Sequence, residues 1–258
     1  MIVSDRHRYL FIEQPHTACT AIHDELCALY DGRPILFKHA TYADFLRVAS
    51  PEQKGYFVFS GIRDPLDEAV STYFKYKTDH KGRYSRRPAA VVGRRREAFE
   101  LVAGDQADFV RYVRRFYRRP YDNDTLIAHR RIDHVMRFEH LQADFAEALR
   151  RIGLEQVRPL PVVNKTGERG HHLDYYPEEV RDHARRVFGP FMLKWGYPIP
   201  AAWADKTVPA SSRLAFRVLG VGRYVYRRYL RRQTHPLARG LAAAVDRVRP
   251  LGYRLLRW

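Results

Sequence analysis

Cysteine is nearly missing from these 258 residues. Cys19 and Cys27 are the only two, with no CxxC and no Cys/His pairing, so a disulfide framework is excluded and a structural zinc site is not expected. No apolar run approaches the ~20 residues a membrane-spanning helix needs. The amino-terminal segment Asp5-Arg6-His7-Arg8 leads directly into an apolar strand, without the apolar core of a signal peptide. A reducing, cytoplasmic setting is the expectation. Internal repeats are absent. So are GxxxxGK[ST] and GxGxxG, which removes the main support for a nucleoside triphosphatase, and there is no HExxH, GxSxG or EF-hand. Acidic residues are in short supply: 29 Asp and Glu face 46 Lys and Arg, a net charge of +17. Such an excess implies a polyanionic partner, whether nucleic acid, acidic glycan, membrane surface or phosphorylated small molecule.

What is present is organised around residues 9 to 29. Tyr9-Leu10-Phe11-Ile12 reads as a strand. Ile22, Leu26, Leu29 and Tyr30 share one face of a helix. Between them lies Glu13-Gln14-Pro15-His16-Thr17-Ala18-Cys19-Thr20. A strand that turns through small and hydroxyl residues into a helix N-terminus is an anion cradle, because the first helical N–H groups lack intrahelical partners and the helix dipole is positive there. Cys19 reads as a small packed residue; the alternative is a thiol activated by the helix N-terminus.

Further along, Arg33-Pro34-Ile35-Leu36-Phe37 predicts a second strand ending at Lys38-His39-Ala40-Thr41, with a short helix over 42–48. Tyr56–Ser60 predicts a third strand buried on both faces. Asp64 is a good N-cap and Pro65 a good first helical residue, with Asp67 and Glu68 suited to the positive helix end. Arg63 and Ser71 then face the carboxyl edge of the sheet, where open α/β folds bind ligands. Residues 75–96 read as a mobile basic insertion. Helical pattern resumes over 99–117, His134–Phe138 reads as a strand, and 141–152 as a helix stopped by Gly153. A loop rich in basic and small residues follows Val162, and Pro177-Glu178-Glu179 opens another helix. Strands alternating with helices predict an α/β fold with a central, mainly parallel sheet flanked by helices over residues 1–200. Residues 201–258 form a basic amphipathic helical extension, with Leu214, Val218, Val221, Val225 and Tyr229 in one stripe and Leu237, Leu241, Val245 and Val248 in a second. Such a tail covers the domain, pairs with another copy of the chain in a homo-oligomer, or lies on an anionic membrane as a peripheral contact.

Several segments along the chain resemble the PAPS-dependent sulfotransferases, especially the bacterial and Golgi carbohydrate branch that includes heparan sulfate 2-O-sulfotransferase. Pro15-His16-Thr17-Ala18-Cys19-Thr20-Ala21 resembles that family's 5′-phosphosulfate loop, usually P-K-T-G-S-T-S. Arg63-Asp64-Pro65 with Ser71 resembles its 3′-phosphate motif, and Lys38-His39-Ala40-Thr41 a stretch of bacterial members. Phe138-Glu139-His140-Leu141, and Asn164 through Tyr175-Tyr176 to Trp195-Gly196-Tyr197, resemble its later segments. The resemblance implies a P-loop-like three-layer fold and sulfuryl transfer from 3′-phosphoadenosine 5′-phosphosulfate (PAPS) to a hydroxyl or amine, leaving adenosine 3′,5′-bisphosphate, with no metal. It implies that His16, Thr17, Ala18, Cys19, Thr20 and Ala21 bind the 5′-phosphosulfate and Arg63 and Ser71 the 3′-phosphate. It also implies that His39 is a general base, and that Lys38, Lys165 and Arg169 lie near the acceptor. That acceptor is an acidic or hydroxylated glycan, lipid-linked molecule or small molecule, rather than nucleic acid.

One position departs from the family pattern. The loop lysine is His16 here, and an unperturbed imidazole is mostly neutral at pH 7. Two nearby phosphates favour imidazolium, which makes His16 a candidate proton donor. The same substitution keeps a catalytically silent, sulfotransferase-like binding protein as the alternative. A nucleic-acid-binding protein is the weaker alternative, since no RRM, KH or zinc-finger pattern supports it.

Overall fold

The computed structural model describes residues 1–86, 93–123, 132–162, 170–203 and 207–226. Five strands, β1 (Ile2–Ser4), β2 (Tyr9–Ile12), β3 (Arg33–Pro34), β4 (Phe57–Ile62) and β5 (His134–Arg137), form one sheet in the order β3-β1-β2-β4-β5. The helices among the described residues are α1 (Cys19–Leu29), α2 (Tyr42–Phe45), α3 (Pro65–Lys77), α4 (Arg94–Ala103), α5 (Phe109–Phe116), α6 (Leu141–Arg151), α7 (Glu178–Trp195) and α8 (Ala210–Val225). Strands β2, β4 and β5 pair in parallel, while β1 pairs antiparallel with both β2 and β3. β1 therefore runs against the other four, and the sheet is mixed.

The sheet differs from the sequence expectation at two points. β1 forms a hairpin with β2 where only a charged lead-in was read; three residues are too few to show an alternating pattern. The strand expected over 33–37 shrinks to Arg33–Pro34 at the sheet edge. Proline has no N–H to donate and belongs at an edge. Leu36 then takes a left-handed conformation (φ 58°), which ends the extended run and leaves Leu36 and Phe37 exposed.

Alternation along the central strands builds two cores. Tyr9, Phe11 and Phe59 pack with Ile22 and Leu26 of α1 and with Phe145, Ala148 and Leu149 of α6. Leu10, Ile12 and Val58 face the other way, onto Tyr42 and Phe45 of α2. This burial on both faces is what the unbroken apolar runs of β2 and β4 imply. A third, aromatic-rich core joins α3, α4, α5 and α7, with Tyr73, Tyr112, Phe109, Tyr176 and Phe188 in mutual contact. It ties α3 down, because Tyr176 donates to Leu66 O at 3.0 Å.

The segment read as a basic insertion is ordered at both described ends. α3 extends through Lys77, Tyr84 stacks on Phe99 at 5.1 Å, and α4 begins at Arg94. The helical stretch read over 99–117 is two helices, parted near Gly104 and the left-handed Asp105, with Asp108 capping α5. α8 docks through Phe216 and through Arg223, 3.7 Å from Asp122. The stripe of Leu214, Val218, Val221 and Val225 is exposed, so it is not the face on which this helix packs. Tyr229 and the second amphipathic stretch lie outside the described residues. No helix among the described residues is long and apolar enough to cross a membrane.

Candidate functional site

β2 delivers the chain to the carboxyl edge of the sheet, and residues 13–18 turn it into α1. His16 (φ 67°) and Ala18 (φ 58°) are both left-handed, with Thr17 between them at negative φ. Two non-glycine residues in that region each cost on the order of 1 kcal/mol or more. Alternation of this kind makes a concave row of backbone N–H groups. Thr17 anchors the turn: it is fully buried, and its hydroxyl donates to Gln14 O at 3.0 Å. Ala18 caps α1 without a side-chain bond, and no acidic residue stands in the helix's first turn. Ile22 N–H bonds back to Ala18 O at 3.2 Å, and the helical N–H groups before it belong to the unpartnered first turn. α3 is the contrast. Its cap Asp64 accepts from Leu66 N–H, and Asp67 and Glu68 sit at its positive end.

Cations surround the turn on two sides. On the α3 side, Arg63 is buried; its Nε donates to Asp67 at 2.7 Å and an Nη to Ser71 Oγ at 3.4 Å. Its guanidinium lies over the Phe138 ring, 4.2 Å from the centroid. Lys75, one helical turn beyond Ser71, places Nζ 3.0 Å from His16 Nδ1. On the other side, Lys38 Nζ donates to Thr20 Oγ1 at 3.0 Å. His39 lies beside the start of the turn, its Nδ1 2.9 Å from Glu13 O. A carbonyl only accepts, so Nδ1 carries the proton and Nε2 keeps its lone pair. Burial holds the His39 imidazole below its ordinary range, so the ring is neutral at pH 7.

His16 is held neutral far more strongly. Burial, then Lys75, Arg63, Arg95 and His39, push its pKa down to about 3. Without a phosphate beside it, His16 is therefore neutral, in a site whose neighbours are cationic. Burial pushes the Cys19 thiol up, which fits a packed residue rather than a thiolate. Ala21 is also buried. The carboxylates near the site are engaged in structural contacts. Asp67 pairs with Arg63, Glu68 accepts from Tyr121, and Glu139 accepts from Asp64 N–H at 2.7 Å and from Tyr197 at 3.1 Å.

A cavity of about 430 Å³ opens beside the turn, walled by Ala18, Phe138, Leu141, Leu160, Pro161 and Val162 among others. Gln14, at the foot of the turn, is fully buried, and neither polar atom of its amide has a partner among the described residues. No metal-holding group of His, Cys, Asp or Glu occurs among the described residues. The structure brings the 16–21 turn, Lys38, His39, Arg63 and Ser71 to one edge of the sheet. Lys165 and Arg169 lie outside the described residues. Lys75 was missed from sequence. Its signal was there, since a helix starting at Pro65 that turns Ser71 toward Arg63 turns position 75 the same way.

Among curated proteins, the chain is 27% identical over 207 residues to carbohydrate sulfotransferase 14 of Homo sapiens, a match covering 71% of this chain and 53% of that protein. Carbohydrate sulfotransferase 14 of Mus musculus is 27% identical over 211 residues, covering 72% and 54% respectively. The chain spans about half the length of these curated relatives. No family model matches it, and no solved structure does.

Proposed function

We propose that this chain transfers a sulfuryl group from PAPS to a hydroxyl of a carbohydrate acceptor, with the β2–α1 turn as its P-loop-like phosphate cradle. The observation that carries this reading is the flanking of one strained, positively ended turn by Arg63, Ser71 and Lys75 on one side and by Lys38 and His39 on the other. The weak similarity to carbohydrate sulfotransferases points to the same chemistry and to a glycan acceptor.

The residues present fit such a donor. A ligand with phosphate on both the 3′ and the 5′ position of its ribose needs two separate anion holds, and Arg63 with Ser71 makes one while the turn makes the other. Arg63 is suited to a 3′-phosphate, since the Phe138 ring and Asp67 already fix its guanidinium plane. Backbone N–H groups of the turn and the Thr20 hydroxyl hold the 5′ end. The neighbouring cavity, lined by Phe138, Leu141 and Leu160 with Glu139, His140 and Gln142, takes the nucleoside, and the unpartnered Gln14 amide is a polar group for a ligand in the turn to satisfy. When bound, PAPS supplies an activated sulfuryl group whose leaving group is the 5′-phosphate. His39 Nε2, with its lone pair, takes the proton of the acceptor hydroxyl as that oxygen attacks.

The test is transfer of radiolabelled sulfate from PAPS to a panel of neutral and acidic glycans by the full chain. Label recovered in a glycan supports the reading. Absence of transfer to every acceptor, with the nucleotide still bound, overturns the enzymatic reading in favour of a silent nucleotide-binding protein.

A further inference from the structure

Resting on the reading above, we propose that Lys75 supplies from α3 the ammonium that the turn itself lacks at His16, and that His16 is its positioning residue. The Nζ–Nδ1 contact of 3.0 Å carries the argument. An ammonium has only donors, so in this contact Nδ1 of His16 must accept and the ring proton must sit on Nε2. That is neutral imidazole, held as such by burial and by Lys75, Arg63, Arg95 and His39, the groups that face it.

The fold makes the arrangement specific. Arg63 bonds Ser71 at the start of α3, and Lys75 follows Ser71 by one helical turn, so the side of α3 that serves Ser71 also presents Lys75 to the turn. His16 in turn is fixed by its left-handed backbone (φ 67°) and by a half-buried ring. A lysine side chain is flexible and loses rotamer freedom when held. A hydrogen bond from its ammonium to a rigid imidazole holds the charge over the turn without cancelling it, as a carboxylate partner would. Lys75 thus places a full positive charge where negative charge gathers on the 5′-phosphate, while His16 contributes geometry and an Nε2–H donor. No covalent step is involved.

Three variants of the full chain test this: Lys75→Met, His16→Lys and the double substitution. Calorimetry with adenosine 3′,5′-bisphosphate and with adenosine 3′-monophosphate separates the two phosphate holds. Lys75→Met is expected to weaken the bisphosphate by about ten- to a hundredfold, the range for one lost charged hydrogen bond, and to leave the 3′-monophosphate unchanged, which also shows that the variant is folded. The double variant, with the ammonium moved to position 16, is expected to recover the bisphosphate; His16→Lys alone crowds two ammonium groups and gains nothing. Equal losses for both nucleotides, no loss, or no recovery in the double variant overturns the proposal. Imidazole ¹⁵N NMR, without nucleotide, reads the pair independently of the sulfotransferase reading. His16 is expected to stay neutral below about pH 5 in the parent protein and to titrate higher in Lys75→Met. A His16 that titrates alike in both overturns the pairing. A parent protein that binds neither nucleotide but shows this NMR difference sinks the sulfotransferase reading alone.

Discussion

A side chain on Gly61 would collide with Thr17: its Cβ would lie 2.8 Å from Thr17 Oγ1 and 2.9 Å from Thr17 Cβ. β4 and the turn therefore meet where only glycine fits, and the hydroxyl on the far side of that contact is the one that bonds Gln14 O. Gly61→Ala must shift either β4 or the turn. The expected cost is about 1–3 kcal/mol of stability, together with a clear loss of affinity for adenosine 3′,5′-bisphosphate. Denaturant unfolding and calorimetry measure the two. A variant unchanged in both means that the turn tolerates displacement and is not a preorganised cradle.

His39→Gln keeps a donor for Glu13 O and removes the proposed base. Turnover is expected to fall by about 10²–10⁴, while nucleotide affinity holds. The pH profile gives a second readout. A base at His39 would work deprotonated, and burial lowers the His39 pKa, so activity in the parent protein is expected to persist below the ordinary histidine range before it falls. That acidic limb should be missing from the residual activity of the variant; an identical limb assigns the titration to another group.

Arg63→Lys keeps the charge and loses the planar fork that spans Asp67 and Ser71 and stacks on Phe138. Affinity for adenosine 3′,5′-bisphosphate is expected to drop by about tenfold or more, with adenosine 5′-monophosphate little affected. Equal losses for both nucleotides would place Arg63 in the scaffold rather than at the 3′-phosphate.

Asp64, the α3 cap, is pushed up to about 6 by burial, with the nearby Glu139 and Asp67 adding to the rise. A carboxyl whose folded pKa exceeds its unfolded value binds protons more tightly in the fold. Its contribution is therefore present below pH 3.8 and is lost as pH rises toward 6. The effect is on the order of 3 kcal/mol. Asp64→Asn retains a good N-cap without the charge. Unfolding measured from pH 4 to 7 should show a flatter profile in the variant, with equal or greater stability at pH 7. A steeper profile or a marked loss at pH 7 would mean that the charge itself supports the helix.

The sequence was most legible where local chemistry and tertiary role agree. Tyr9–Ile12 alternates between two buried faces, and its strand and the α1 pattern both appear in the fold. Asp64-Pro65 start α3 as their capping chemistry dictates. Legibility failed where position depends on partners distant in sequence. β1 is a strand because β2 lies beside it, and β3 accommodates Pro34 because that strand is an edge. The α8 stripe has helical period, yet Phe216, off the stripe, makes the packing contact. At the site, Arg63 with Ser71 and Lys38 with His39 could be read from motifs. The charge state of His16 could not, because it is set by burial in the fold and then by Lys75, 59 residues away.

The central claim is that the turn, Arg63 and Ser71 together hold an adenosine carrying phosphate at both its 3′ and 5′ positions. Thermal unfolding of the full chain with adenosine 3′,5′-bisphosphate, against ATP at equal concentration, tests it most directly. The bisphosphate is expected to stabilise the fold by about 2.7 kcal/mol at a hundredfold excess over the dissociation constant, and ATP little or not at all. Equal or greater stabilisation by ATP, or none by the bisphosphate, contradicts it.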